Sequence, residues 1–123
     1  MKYLMLLYSN PAAYETLSPE DMQATMQFFN DLQRETTESG ELVDSAGLAD
    51  ASQARTVRVQ GGAAVATDGP FAESKEVLAS YAIFDLDSHD RAMELAARVA
   101  EATASAVEVW PLMDVGGTDL LGP

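Results

Sequence analysis

A chain of 123 residues, 47% of them hydrophobic, has the length and apolar content of one globular domain. Its 20 acidic against 7 basic side chains give a formal charge of -13; such a surface repels phosphate backbones and anionic bilayers, which argues against direct nucleic-acid binding and against docking on a membrane. The absence of cysteine removes disulfides, thiolate zinc sites and cysteine nucleophiles together, and suits a cytoplasmic protein.

The opening MKYLMLLYSNPAA imitates a signal peptide, but its apolar run Tyr3–Tyr8 is shorter than the roughly 7–15 residues of an h-region. A central strand, apolar on both alternating faces, accounts for it better. The stretch LSPEDMQATMQFFNDLQRETTESG carries a full helix signature. Ser18 is placed as the N-cap and Pro19 at the first helical position, with Glu20 and Asp21 at the positive end of the dipole. Met22, Met26, Phe29 and Leu32 are expected on its buried side, with Phe28 at the margin, and Gly40 as the stop.

Leu42–Leu48 reads as a short strand. Thr56–Val59 alternates, and Gly61-Gly62 before AAVAT gives a hairpin. After an Asp-Gly-Pro-Phe turn, Val77–Leu86 is a long strand with Leu78, Ser80, Ala82, Phe84 and Leu86 on one face. A second helix starts with Ser88 as N-cap; Ala92, Leu95, Ala96 and Val99 are its buried stripe, and Arg91, Glu94, Arg98 and Glu101 its wet side. Val107–Met113 closes the set, Pro111 pointing to an edge. The fold class is therefore α+β: a ferredoxin-like βαββαβ sandwich with an extra hairpin. It forms one domain over residues 1–113, followed by a Gly-rich tail over 114–123. Both helices must cover one sheet face, and an apolar opposite face calls for a second copy, so an isologous homodimer is expected.

The chemistry-bearing stretch is TDGPFAESKE, residues 67–76. One reading is structural: Gly69 permits a bend, Pro70 fixes one φ and Phe71 plugs a core. The other brings Asp68, Glu73 and Lys75 together beside Phe71 as groups able to move a proton. Tyr8, Tyr81 and Trp110 stand on strands, where such residues fill cores and interfaces or line a ligand cleft. No metal site is expected. The sequence DLDSHDRAMELA has alternating acids at Asp85 and Asp87, but Asp90 stands where a calcium loop needs Gly and Ala96 where it needs Glu. No cofactor motif appears either, since QGGAAV lacks the Gly and Lys spacing of a phosphate loop.

From MKYLMLLY through TDGPFAESKE and YAIFDLDS to VEVWPLM, the chain resembles the YCII-related family, in particular its DGPF-type branch. That resemblance implies the fold of the dimeric α+β barrels and, with it, the dimer. Some relatives carry a His-Asp pair with the His near the first helix. Here that helix has no histidine and the sole one, His89, opens the second, so the pair does not carry over. Trp110 stands where many DGPF-type relatives have a cation. The resemblance also implies a place beside sigma factors in transcription regulation, through protein contacts. Two readings follow. One is a non-catalytic dimeric module for a small molecule or a protein partner. The alternative is a cofactor-independent enzyme of the lactone isomerase or monooxygenase kind, with Asp68, Glu73 and Lys75 as working groups and Tyr8 or Tyr81 orienting substrate.

Overall fold

The computed structural model describes residues 1–70 and 75–113; the candidate residues Phe71 and Glu73 and the tail 114–123 lie outside the described residues. In chain order the elements are β1 (Lys2–Ser9), a one-turn α1 (Pro11–Tyr14), α2 (Pro19–Glu38), β2 (Leu42–Gly47), β3 (Arg55–Gln60), β4 (Ala63–Asp68), β5 (Val77–Asp85), α3 (His89–Thr103) and β6 (Val107–Pro111). Strands β2-β5-β1-β6 form one antiparallel sheet and β3-β4 a separate two-stranded ribbon. With α2 and α3 on one face, this is the ferredoxin-like arrangement expected, the ribbon being inserted between its second and third strands.

Both long helices begin where their caps dictate. Ser18 Oγ accepts the Asp21 N–H at 3.0 Å, and Ser88 Oγ accepts the Arg91 N–H at 3.1 Å; each satisfies an amide that the first turn leaves without a partner. The core is Tyr3 and Met5 of β1, Phe84 of β5, Leu86, Leu32 of α2, and Ala92, Leu95, Ala96 and Val99 of α3. The four α3 residues are the stripe expected from the sequence. Its two alanines carry almost no bulk, which lets α3 lie close on the sheet.

Four side-chain placements differ from expectation. Met22 and Met26 of α2 are exposed. The inward line is instead Thr25, Phe28, Phe29, Leu32 and Thr36, and at 3.6 residues per turn Met26 lies about 100° round the helix from its centre. Leu78 leaves the inward face of β5, because a bulge places it opposite Tyr8 while Ser80 still pairs with Leu7. Arg91, expected in water, is drawn onto Glu41 and is only 24% exposed.

The register separates the sheet's two faces. Tyr3, Met5 and Leu7 share the helix side with Phe84, Ala82 and Ser80 of β5 and with Val109 and Val107 of β6. The other side carries Leu4 and Leu6 of β1, Ile83 and Tyr81 of β5, and Trp110 of β6. No described element covers these residues. Trp110 is 53% exposed.

Candidate functional site

The Asp-Gly-Pro turn is a clasp at the root of the β3-β4 arm. Arg55 Nε lies 3.1 Å from Asp68 Oδ1. The Gly69 N–H donates to the Ala54 carbonyl at 2.8 Å, and the Gly69 carbonyl accepts the Thr56 hydroxyl at 2.8 Å. Gly69 holds φ at +89°, which a side chain would strain. The far end of the arm turns at Gly61 and Gly62, both with positive φ, as a tight two-residue hairpin requires. Asp68 is 91% exposed in its ion pair and Lys75 is exposed as well. The structure therefore brings Asp68 to Arg55, at the base of the arm and in water.

Tyr8, Tyr81 and Trp110 share the helix-free face. The Tyr81 phenol donates to Asp44 Oδ2 at 2.9 Å, and the Tyr8 phenol donates to the Glu108 carboxylate. Each phenol is held above its ordinary range, first by that hydrogen bond, since ionising it would set two negative charges side by side. These pairs place Asp44 and Glu108 on the helix-free face, Glu108 directly opposite Leu6, and Lys2 and Asp85 face each other at its end; its apolar part is Leu4, Leu6, Ile83 and Trp110.

A cavity of about 370 Å³ opens between α2 and the β2-β5 side of the sheet. Its origin is the size of the residues in the sheet's inward positions. Around β1, β6 and α3 those positions hold Met5, Phe84, Val107 and Val109, which meet the helices. Toward β2 they hold Ser45, Gly47, Ser80 and Ala82, too short to reach Phe29, Leu32 and Thr36 of α2 across the layer. A β-carbon placed on Gly47 would meet nothing within 4 Å. The walls are predominantly apolar, and Tyr81 is the one titratable residue among the described lining. The Thr36 hydroxyl is used internally, donating to the Leu32 carbonyl at 2.8 Å. Among the described residues, neither Asp68 nor Lys75 lines this cavity, and no three His, Cys, Asp or Glu side chains cluster to hold a metal.

A second and larger cavity, of about 600 Å³, lies between the start of α2 and the end of α3, with Asp21, Phe28, Glu76 and Thr103 in its walls. Only Glu76 belongs to the stretch 67–76 that the sequence singled out.

A second polar cluster ties the layers together. Arg91 of α3 grips Glu41 at 2.8 Å and reaches Glu94 at 2.8 Å, while Arg98 holds Glu35 of α2 at 2.8 Å. The Arg91 hydrogen bond holds Glu41 down to about 2, against an ordinary value of 4.5. Every member is engaged by an opposite charge, so the cluster serves as a brace between α2, α3 and the start of β2.

The sequence pointed to the 68–76 turn and missed the cavity walls. Their signal was present as the run of small residues Ser45, Gly47 and Ser80, but it depends on strand bulges. Strict alternation from Leu42 would place Asp44 and Ala46 inward; the irregularity between Leu42 and Asp44 reverses this and turns Ser45 and Gly47 inward.

The sequence matches the YCII-related domain over residues 1–115. It is also similar to an uncharacterized protein of Rhizobium meliloti (strain 1021), with 33% identity over 114 residues, covering 91% of this chain and 92% of that one. No helix among the described residues is long and apolar enough to cross a membrane.

Proposed function

The chain belongs to the YCII-related family, and from that premise we propose that it is a small non-catalytic binding module that works as a homodimer and takes a small molecule into the cavity under α2. The observation that carries this reading is the cavity's composition. Its volume falls at the lower end of ligand sites, roughly 300–1,000 Å³, and its described walls hold no carboxylate, ammonium, guanidinium or imidazole. General acid–base chemistry most often uses such a group within hydrogen-bond reach of the substrate, and the phenol of Tyr81, the titratable residue in the described lining, is engaged with Asp44. A binding site needs only shape and a few polar contacts. The cysteine-free composition fits a cytoplasmic setting.

The neutral fluorophore N-phenyl-1-naphthylamine tests the cavity. Its emission is expected to brighten on adding the wild-type protein, and to stay near its value in buffer with the double variant Gly47→Val/Ser80→Val, which fills the space from the sheet side. Equal brightening with both proteins, or none with the wild type, would remove the cavity as the site.

The dimer rests on the helix-free face. Strands of 8 and 9 residues at its centre, with four strands spaced about 4.8 Å apart, give a flat footprint of about 500 Å². Corrugated by side chains, that approaches the roughly 800 Å² per partner of a stable interface. Leu4, Leu6, Ile83 and Trp110 supply the apolar part of this face, and the hydrogen bonds of Tyr81 to Asp44 and of Tyr8 to Glu108 lower the cost of covering those two carboxylates.

A further inference from the structure

We propose that the cavity selects uncharged, largely apolar molecules of one or two rings that carry a hydroxyl or carbonyl, and that the Ser80 and Ser45 hydroxyls and the Gln33 amide read that polar group. The inference rests on the cavity being the ligand site and adds the class of ligand.

Three observations lead to it. The first is the depth of the cavity, formed by Phe29, Leu32, Phe84 and Val99. Leu32, Phe84 and Val99 belong to the buried core, and Phe29 packs against it. An ion placed there would lose its hydration with no opposite charge in the described walls to replace it, so a carboxylate or an ammonium is disfavoured whichever its sign. The formal charge of -13 adds a long-range penalty for anions. Neither helix aims a terminus at the site: its α2 wall lies at residues 29–36 of Pro19–Glu38 and its α3 wall at Val99 of His89–Thr103.

The second observation is which polar groups are engaged and which are open. Thr36 is fully buried and its proton is committed to Leu32. Ser80, Ser45 and Gln33 line the same space, and among the described residues the side chains of these three make no hydrogen bond, the Gln33 contact with Thr36 being through its backbone carbonyl. The Ser80 hydroxyl is not sealed from solvent, and Ser45 and Gln33 are exposed residues, so all three polar groups are accessible.

The third is their arrangement. Ser45 pairs with Ala82 and Ser80 with Gly47, in adjacent rows of one sheet face, so the two hydroxyls are diagonal neighbours at the β2 side, and Gln33 stands across from them on α2. Ser80 is half-buried while Ser45 and Gln33 are exposed. The polar groups therefore sit toward the mouth and the apolar surface lies behind. A ligand enters rings first and leaves its oxygen at the rim, where hydroxyls and an amide offer both donors and acceptors.

The test uses four molecules on one ring skeleton: naphthalene, 2-naphthol, 2-naphthoate and 2-naphthylmethylammonium, titrated at pH 7 into the full chain by calorimetry and by displacement of N-phenyl-1-naphthylamine. The expected order is 2-naphthol tightest and naphthalene about 3–10-fold weaker. Both ions should bind at least tenfold more weakly than the alcohol, since a buried charge costs more than a neutral hydrogen bond returns. In Ser80→Ala and Ser45→Ala the preference for 2-naphthol over naphthalene should shrink severalfold while naphthalene binds as before. That readout separates loss of the polar contact from loss of the fold. Binding of either ion as tight as 2-naphthol would overturn the proposal. So would an unchanged naphthol-to-naphthalene ratio in the double serine variant. If no compound binds and the fluorophore fails too, the cavity reading itself falls and this inference falls with it; if the fluorophore binds and the order is wrong, only the ligand class is refuted.

Discussion

Arg91 grips Glu41 with two parallel hydrogen bonds, Nε to Oε2 at 2.8 Å and Nη2 to Oε1 at 3.0 Å, linking the first turn of α3 to the residue before β2, fifty positions earlier in the chain. The planar guanidinium fits a carboxylate in this two-point geometry, and partial burial of both groups reduces screening by water. Ser39 adds a third hydrogen bond to the same carboxylate. The pair positions the start of β2, and with it the strand that frames the cavity.

Acid stability follows from that pair. Glu41 is held at about 2 in the folded state against 4.5 as an ordinary glutamate. A depressed folded value means the unfolded chain binds the proton more readily. The stabilisation is therefore complete above about pH 4.5 and is lost as the pH falls from there toward 2. Glu41→Gln is expected to cost about 2–3 kcal/mol at pH 7, less than the full linkage value because the pair is not completely buried. Its denaturant midpoint should also change less than that of the wild type between pH 4.5 and pH 2. Urea melts across that range check both; parallel pH profiles for the two proteins would refute the role of the pair.

The β3-β4 arm should behave as a unit apart from the core. Its Val57 and Val59 are 63% and 75% exposed, and an isolated two-stranded hairpin is marginal in water. What holds it is the clasp of Arg55, Thr56 and Gly69 at its root. Gly69→Ala forces a side chain onto φ of +89° and is expected to cost about 1–2 kcal/mol, confined to the arm. In hydrogen exchange, arm amides should exchange faster in the variant while those of β1 and β5 keep their protection. Asp68→Ala, at a fully wet ion pair, should shift global stability by less than about 0.5 kcal/mol. A global loss of several kcal/mol from either change would show that the arm is integral to the core.

The fold was legible in the sequence and much of the site was not, for a definite physical reason. Element identity is local: Ser18-Pro19 and Ser88 start helices through their own hydroxyls, Gly61-Gly62 turns a hairpin through its own backbone, and the α3 stripe follows from spacing alone. The placement of Ser45, Gly47 and Leu78 depends on where two strands slip by one residue, and that is decided by pairing partners distant in the chain. Arg91 has a helix-surface position by periodicity, and only the approach of Glu41 draws it under cover. Gly69 turns the chain through its own backbone, and among the described residues Asp68 and Lys75 do not line the cavity under α2.

The cavity makes its own stability prediction. Gly47 faces open space and keeps an ordinary backbone conformation, so Gly47→Val adds a β-branched residue to a strand with nothing to displace. Removing a strand glycine is favourable by about 0.5–1 kcal/mol, and each buried methyl group adds up to about 0.8 kcal/mol. A net gain of about 1–2 kcal/mol is expected, seen as a rise in Tm of several degrees, together with loss of fluorophore binding. Stabilisation at the expense of binding is the signature of a space kept open for a ligand; a destabilised variant would mean that the space collapses or is already filled.

Association through the helix-free face can be followed with the protein's own fluorescence. Trp110 is the single tryptophan, it is 53% exposed in the isolated chain, and it pairs across β1 with Leu4, one row from Leu6 at the centre of that face. If a second copy covers the face, the indole loses water on association. Its emission should then lie to the blue at micromolar concentration and move to the red on dilution, in step with sedimentation from twice the chain mass to one. Leu6→Glu sets a carboxylate directly opposite Glu108 where the apolar contact would be centred, and burying two like charges side by side is costly enough to prevent closure. That variant is expected to sediment as a monomer at every concentration, with red-shifted emission throughout and an unchanged far-ultraviolet spectrum, since Leu6 points away from the core formed by Tyr3 and Met5. A wild-type chain that stays monomeric at micromolar concentration, with Trp110 emission independent of dilution, would leave this face open to water and remove the dimer.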